Sequence, residues 1–171
     1  MYIKTKKLNS SAIIPHRGYA CAAGYDLYAN ITEEITIEPH KTAKVSTGIS
    51  IEIVDGYFGA IFARSGLATK QGVRPANCVG VIDSDYRGEV LVCLYNDSDL
   101  VRYIRPNDRI AQLVILPYQA VEFVEVDELS DTQRGEGGFG STGVSFDGAQ
   151  QLSLFEDYKV SEDTYEIRID S

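Results

Sequence analysis

The chain has 171 residues, 44% hydrophobic and 24% charged, which suits one ordinary globular domain long enough to bury a core. A formal net charge of −9 disfavours wrapping duplex nucleic acid, where phosphate repulsion must first be overcome, while a small polyanion can still be held wherever basic groups converge. Three widely spaced cysteines, Cys21, Cys78 and Cys93, read as free thiols of a reducing compartment, and two histidines, His16 and His40, are too few for a His/Cys metal cage.

The basic opening Met-Tyr-Ile-Lys-Thr-Lys-Lys has no apolar stretch behind it, and no run approaches the ~18 apolar residues of a membrane span. The expectation is a soluble, cytoplasmic protein. Residues 3–8 suit a first short strand, and residues 10–22, with Pro15 and Gly18, suit a loop. Residues 23–29, 35–38, 43–53 and 57–64 are rich in β-branched and aromatic side chains and are punctuated by Pro39-His40 and Asp55-Gly56. Residues 65–71 suit one helical turn or a short helix. Residues 77–89 read Asn-Cys-Val-Gly-Val-Ile-Asp-Ser-Asp-Tyr-Arg-Gly-Glu, and an apolar strand follows at 90–94. That pattern predicts a β-hairpin with carboxylates at its mouth. Asp97-Ser98-Asp99 is a turn, 109–116 is another apolar run, and 121–126 alternates apolar and acidic residues. Many short strands with almost no helical periodicity predict an all-β sandwich, jelly roll or barrel.

From residue 131 the character changes. Residues 134–143, Arg-Gly-Glu-Gly-Gly-Phe-Gly-Ser-Thr-Gly, carry too many glycines for a packed element and read as a flexible arm. The last 28 residues, 144–171, are acidic with apolar islands at 152–155 and 165–169.

Several stretches carry chemistry. The arm formally fits Gly-x-Gly-x-x-Gly, but no helical pattern follows it, so it is no dinucleotide fingerprint. It offers backbone N–H groups and Arg134 to phosphates and Phe139 to a base ring, or it is a plain linker. At Arg64-Ser65-Gly66 a strand gives way to a helical turn. Ser65 is either a plain N-cap or part of an anion site beside Arg64 and Lys70. Gln112, inside an apolar run, satisfies a buried backbone group or reaches a ligand. Asp26 sits among aromatics in a strand, where aspartate is disfavoured. It pairs with an arginine, is a buried structural carboxylate, or holds a hydrated cation.

In chain order these pieces read Ala-Gly-Tyr-Asp-Leu, Arg-Ser-Gly-Leu-Ala-Thr-Lys, Gly-Val-Ile-Asp-Ser-Asp-Tyr-Arg-Gly-Glu, Asp-Arg-Ile-Ala-Gln-Leu and Arg-Gly-x-Gly-Gly-Phe-Gly-Ser-Thr-Gly. This resembles the five-motif pattern of the trimeric dUTP pyrophosphatases (dUTPases), over residues 3–143. The resemblance implies a distorted, β-clip-like jelly roll, a homotrimer with sites between subunits, and Mg2+-dependent hydrolysis of dUTP to dUMP and pyrophosphate. It implies Asp83 as the water-activating carboxylate and Tyr86 as the ring under the deoxyribose. Asn77 and the backbone at Val81, Ile82 and Leu91 would read uracil. Arg64, Ser65, Gly66 and Gln112 would hold phosphates. Arg134 would clamp the γ-phosphate, Phe139 would stack on the base, and Gly140 and Ser141 would add an amide and a hydroxyl. Asp26 would support the site or hold a Mg2+ water, the ion riding mainly on the substrate phosphates. The expected organisation is a domain over 1–130, an active-site arm over 131–143 and a tail over 144–171.

Two features depart from the pattern. Asn107 stands where glycine is common, at a turn position whose left-handed geometry asparagine tolerates. The tail continues past the arm, and its Gln151-Leu152-Ser153-Leu154-Phe155 resembles the short peptide by which bacterial replication proteins bind the DNA sliding clamp. Two other readings stand beside the hydrolase: a dCTP deaminase-like enzyme, and a nucleotide-gated interaction protein acting through its tail.

Overall fold

The computed structural model describes residues 1–138. Its elements run β1 (Lys4–Lys7), β2 (Tyr25–Tyr28), β3 (Ile35–Ile37), β4 (Thr42–Ser46), β5 (Ile49–Glu52), β6 (Tyr57–Phe62), α1 (Ser65–Gln71), β7 (Val73–Pro75), β8 (Gly80–Ile82), β9 (Leu91–Asn96), β10 (Arg102–Ile104) and β11 (Arg109–Pro117). All the pairings between them are antiparallel. A four-stranded sheet has the order β2-β11-β6-β8, a three-stranded sheet the order β4-β9-β7, and β1-β5 and β10-β3 are two-stranded. The fold is all-β and jelly-roll-like, as the strand pattern and the family resemblance led one to expect.

The strands form because their inward positions carry branched aliphatics. Leu27, Ile37, Val45, Ile49, Leu94, Ile104 and Ile110 are fully buried in one hydrophobic cluster, each contributing about 1.5–3 kcal/mol of burial. Asn96 is buried with them at the end of β9. Its amide donates to Ile37 O at 2.9 Å and Leu100 O at 2.7 Å, and its carbonyl accepts from Ser98 N at 3.0 Å, so no polar group is stranded. This knot shapes the Asp97-Ser98-Asp99 turn.

Helix α1 spans the expected residues, but its cap differs. Arg64 occupies the N-cap and Ser65 is the first helical residue, so the Ser65 hydroxyl caps nothing. Gly72 closes the helix in the left-handed region at φ 68°. Residues 43–53 are two strands rather than one, broken at Thr47 and Gly48. Gly48 has φ 67°, and a Cβ there would run into Asn30 and Ala12. The largest correction concerns residues 77–94. Strands β8 and β9 do not pair. Strand β8 edges the four-stranded sheet beside β6, and β9 lies between β4 and β7. Alternation and turn residues signal a reversal but leave open which sheet each arm joins.

The compact unit spans Met1–Glu122 and a second begins at Phe123. Residues 121–126 form no strand, and Phe123 is 95% exposed. Phe139, Gly140, Ser141, the peptide 151–155 and the island 165–169 lie outside the described residues. No described helix is long and apolar enough to cross a membrane.

Candidate active site

Two groups of sequence-predicted residues come into view, at different places on the Met1–Glu122 unit. The first gathers around Asp26. On β11, Gln112 faces Asp26 of β2 on one side and Phe62 of β6 on the other. Directly opposed residues of an antiparallel pair share a face, so Asp26 and Gln112 point the same way. Arg109, three residues before Gln112, would ordinarily point away. The register shifts by one residue between Arg109 and Ala111, and this bulge turns Arg109 back to the face of Asp26. Arg64 arrives from the end of β6.

The result is one carboxylate between two guanidiniums. Asp26 Oδ1 accepts from Arg64 Nε at 2.8 Å and Oδ2 from Arg109 Nη1 at 3.3 Å, with the Asp26 side chain only 14% exposed. Arg64 also donates to Arg109 O at 3.4 Å. Gln112 donates from Nε2 to Ala63 O at 2.9 Å, fastening the start of the Arg64-Ser65-Gly66 turn to β11. Gly24 is tight against it: a Cβ there would lie 2.5 Å from Gln112 Oε1. These residues line a cavity of about 490 Å3 with Ser65, Gly66, Gly18 and Tyr19. A second cavity, of about 580 Å3, shares Arg64, Gly66 and Arg109 and adds Lys70, Arg102 and Arg105. Five basic side chains of an acidic chain thus line these two cavities. Next to the cluster, the Tyr28 hydroxyl bonds His16 Nε2 at 3.0 Å. Burial, and then the Asp26 charge, push the Tyr28 phenol above its usual range.

The second group is the segment from Asn77 to Leu91. Asn77, Val81, Asp83, Tyr86 and Leu91 are exposed and Ile82 is half-buried. The Asp83 carboxylate receives no hydrogen bond from the described residues, and its carbonyl accepts from Tyr86 N at 3.2 Å. The Tyr86 hydroxyl donates to Glu89 O at 3.0 Å, and Arg87 Nη1 donates to Ser84 O at 2.6 Å and Tyr86 O at 3.0 Å.

Within one chain the two groups do not meet. Asp26 is on one edge strand of the four-stranded sheet and Asp83 follows the other, about 14 Å across the sheet at three strand spacings. They also lie at opposite ends of β6. Ile82 faces Gly59 at its start, whereas Gln112 faces Phe62 near its end and Arg64 comes after that. In the second unit, Arg134 Nε donates to Gly137 O at 2.8 Å and Gly135 N to Thr132 O at 3.1 Å, with Gly135 at φ 51°. That part of the arm is a series of tight turns.

The dUTPase family model matches residues 10–143. The chain belongs to the dUTPase family. A curated dUTPase family relative, the deoxyuridine 5'-triphosphate nucleotidohydrolase of Nautilia profundicola, is 49% identical over 143 residues, 84% of this chain and 99% of the relative. Among solved structures, a mutant dUTPase of Staphylococcus bacteriophage 80alpha with dUpNHpp is 30% identical at a TM-score of 0.76, covering 84% of this chain and 99% of that one. A mutant dUTPase from phage phi11 of S. aureus, described with a structural Mg(II) ion, is 26% identical at a TM-score of 0.67, covering 77% of this chain and all of the other. Residues after 143 lie outside the dUTPase match.

The motif Asp-Arg-Ile-Ala-Gln-Leu contains Arg109 without giving it a role, and simple alternation would put it on the face opposite Gln112. Only the bulge reverses that, and nothing in the apolar run announces it. Gly24 and Glu89 were quoted within motifs without a role of their own. Asn107 does adopt the left-handed region, at φ 66°.

Proposed function

We propose that the protein hydrolyses dUTP to dUMP and pyrophosphate, lowering dUTP and supplying dUMP for thymidylate synthesis. The observation that carries the reading is the charged pocket of Arg64, Arg109, Asp26 and Gln112 on a chain whose other motif residues stand in family order. The triphosphate lies against Arg64, Ser65, Gly66 and Gln112, where guanidinium and amide donors suit phosphate oxygens. Asn77 and the backbone of Val81, Ile82 and Leu91 read the uracil edge, and Tyr86 lies under the deoxyribose. Arg134, Phe139, Gly140 and Ser141 of the arm close over the γ-phosphate and the base. The functional divisions are a domain over 1–130, the arm over 131–143 and the tail over 144–171.

The ionised Asp83 takes a proton from a water whose oxygen attacks the α-phosphorus. The new P–O bond forms as the bond from the α-phosphorus to the α,β-bridging oxygen breaks. Pyrophosphate leaves with the electron pair, and Asp83 releases its proton to solvent. Mg2+ fits this site as an ion carried by the substrate. Among the described residues no group of three or more His, Cys, Asp or Glu converges, and both Asp26 oxygens already accept from arginine while keeping lone pairs for a metal-bound water. When bound, the ion neutralises phosphate charge.

The separation of Asp83 from Arg64 within one chain supports an active site completed between copies, as a homotrimer provides. The test is to incubate the protein with Mg2+ and dUTP, dCTP, dTTP or UTP and follow pyrophosphate. Selective release from dUTP is expected. Equal rates on dUTP and dTTP would sink the pocket assignment, and ammonia from dCTP would favour the deaminase. For the tail, Gln151, Leu152, Ser153, Leu154 and Phe155 are proposed to dock on a bacterial sliding clamp. A peptide spanning residues 148–157 titrated against such a clamp, with no binding at high micromolar concentration, removes that proposal.

A further inference from the structure

The loop bearing Asp83 and Tyr86 runs from β8 to Val90, and one side chain within it, Glu89, bonds the β4–β5 turn. Glu89 Oε1 accepts from the Ser46 hydroxyl and from Gly48 N at 2.7 Å. Its carbonyl accepts the Tyr86 hydroxyl. The side chain therefore ties the loop to the β4–β5 turn, while the main chain fixes the Tyr86 ring. Gly88 completes the arrangement: the ring lies over it so closely that a Cβ would collide with the Tyr86 hydroxyl and ring edge.

The receiving turn is itself well anchored. Leu8 N donates to Gly48 O and Asn30 N to Ser46 O, both at 2.8 Å. The next residue of the loop has its own ties, with Thr47 Oγ1 donating to Val90 O at 2.5 Å and Val90 N to Ile49 O at 2.9 Å. Removing the Glu89 carboxylate thus leaves β9 attached at Val90 and loosens only what precedes it. A carboxylate suits the task because a charge-assisted bond to a backbone N–H is stronger than a neutral one, and one oxygen serves both donors.

We infer that Glu89 is a positioning residue for the proposed dUTP site: its carboxylate holds the loop so that the Tyr86 ring excludes a ribose 2′-hydroxyl and Asp83 faces the α-phosphate. The inference rests on the dUTP reading. It concerns selectivity as well as rate, because the residue that senses the sugar is held by the same main-chain atom that the carboxylate steadies.

The experiment compares Glu89→Ala, Glu89→Gln and Gly88→Ala with the unaltered full chain. It measures kcat and KM for dUTP and for UTP, and the melting temperature of each. In Glu89→Ala the preference for dUTP in kcat/KM is expected to narrow about tenfold, the effect of a modest misplacement on a positioned reaction. Glu89→Gln keeps an acceptor oxygen and restores most of the preference. Gly88→Ala displaces the ring with Glu89 intact and also narrows it. An unchanged preference in Glu89→Ala, or an equal loss on both substrates, overturns the inference. If Glu89→Ala does not fold, Gly88→Ala and Glu89→Gln decide. An unchanged preference in Gly88→Ala, or a folded Glu89→Gln as impaired as Gly88→Ala, overturns it. An unaltered chain that leaves dUTP intact overturns the dUTP reading and this inference with it. An active chain with insensitive variants overturns this inference alone.

Discussion

The pocket around Asp26 and the loop around Asp83 are built in opposite ways. The pocket draws on β2, β11 and the end of β6, and its side chains are tied across strands: two arginines to one aspartate, and one glutamine to the Ala63 main-chain carbonyl. The loop carries its functional groups exposed and holds them by bonds to its own backbone, from Arg87 to Ser84 and Tyr86 and from Tyr86 to Glu89. Charge is thus preset in a sheet-supported pocket, where an ion-paired arginine keeps donors to spare for phosphate. Asp83, proposed to activate the attacking water, is exposed on its loop. The two constructions stand on opposite edges of the four-stranded sheet in one chain, and each carries groups that the other lacks.

The sharpest break comes from Asp83→Ala. If the loop supplies the base and nothing else, turnover of dUTP should fall about 10²- to 10⁴-fold, with melting temperature and dUTP binding little changed, because the carboxylate bonds nothing in the described structure. Steady-state kinetics beside a nucleotide titration checks this, and retained turnover removes Asp83 from the mechanism. A mixing experiment extends the test. Asp83→Ala and Arg64→Ala chains, each inactive alone, should regain activity when refolded together if one copy's loop serves another copy's pocket. No recovery means that the two regions act some other way.

Next in size is the pocket itself. Asp26→Ala leaves Arg64 and Arg109 facing each other without their shared counter-charge. It should cost about 2 kcal/mol of stability, below the several kcal/mol of a fully buried broken pair because the arginines keep some solvent. Thermal unfolding measures it. In contrast to Asp83→Ala, both stability and KM for dUTP should move. A variant that loses activity with an unchanged melting temperature would mean that Asp26 works on the substrate side rather than as the hub of the arginines.

The same contrast governs what the sequence disclosed. Helix α1 was legible because Leu67, Ala68 and Lys70 suit a helical turn. The strands β2, β6 and β11 were legible because their branched and aromatic runs are long enough. The three-residue strands β7 and β10 were not, since Val73–Pro75 and Arg102–Ile104 offer too few positions to show a period. The Asp83 segment looked like a hairpin because two apolar runs flank a turn, yet its arms join different sheets. Partner choice is a tertiary fact. The motif residues were readable one by one, while the bulge that brings Arg109 to Asp26 and the bond from Gly48 N to the Glu89 carboxylate depend on register and turn geometry.

A smaller change probes the pocket's packing. Gly24→Ala would press on Gln112 Oε1 and shift the side chain that fastens Ala63. The expected result is a KM for dUTP raised about tenfold, equivalent to ~1.4 kcal/mol, with kcat nearly kept. A fall in kcat alone would mean that Gln112 acts in the chemical step rather than in holding phosphates.

The smallest expected effect lies at the outer strand that supports the loop's anchor. Strand β1 pairs with β5, and Lys4 Nζ bonds Glu52 Oε1 at 2.7 Å on the exposed edge. That hydrogen bond, and then the lysine charge, hold the Glu52 carboxyl below its ordinary value of 4.5. A lowered folded-state pKa gives stability that is present above the unfolded value and fades as pH falls through the folded one. The gap in melting temperature between the unaltered protein and Glu52→Gln should therefore be small at neutral pH, shrink below about pH 4.5, and shrink with added salt at any pH. Since β1 also reaches Gly48 through Leu8, the same variant asks how far the hold on the Asp83 loop extends. Unchanged selectivity between dUTP and UTP would confine that hold to Glu89 and the β4–β5 turn. A narrowed selectivity would extend it to the edge strand and make the loop less self-contained than its own hydrogen bonds suggest.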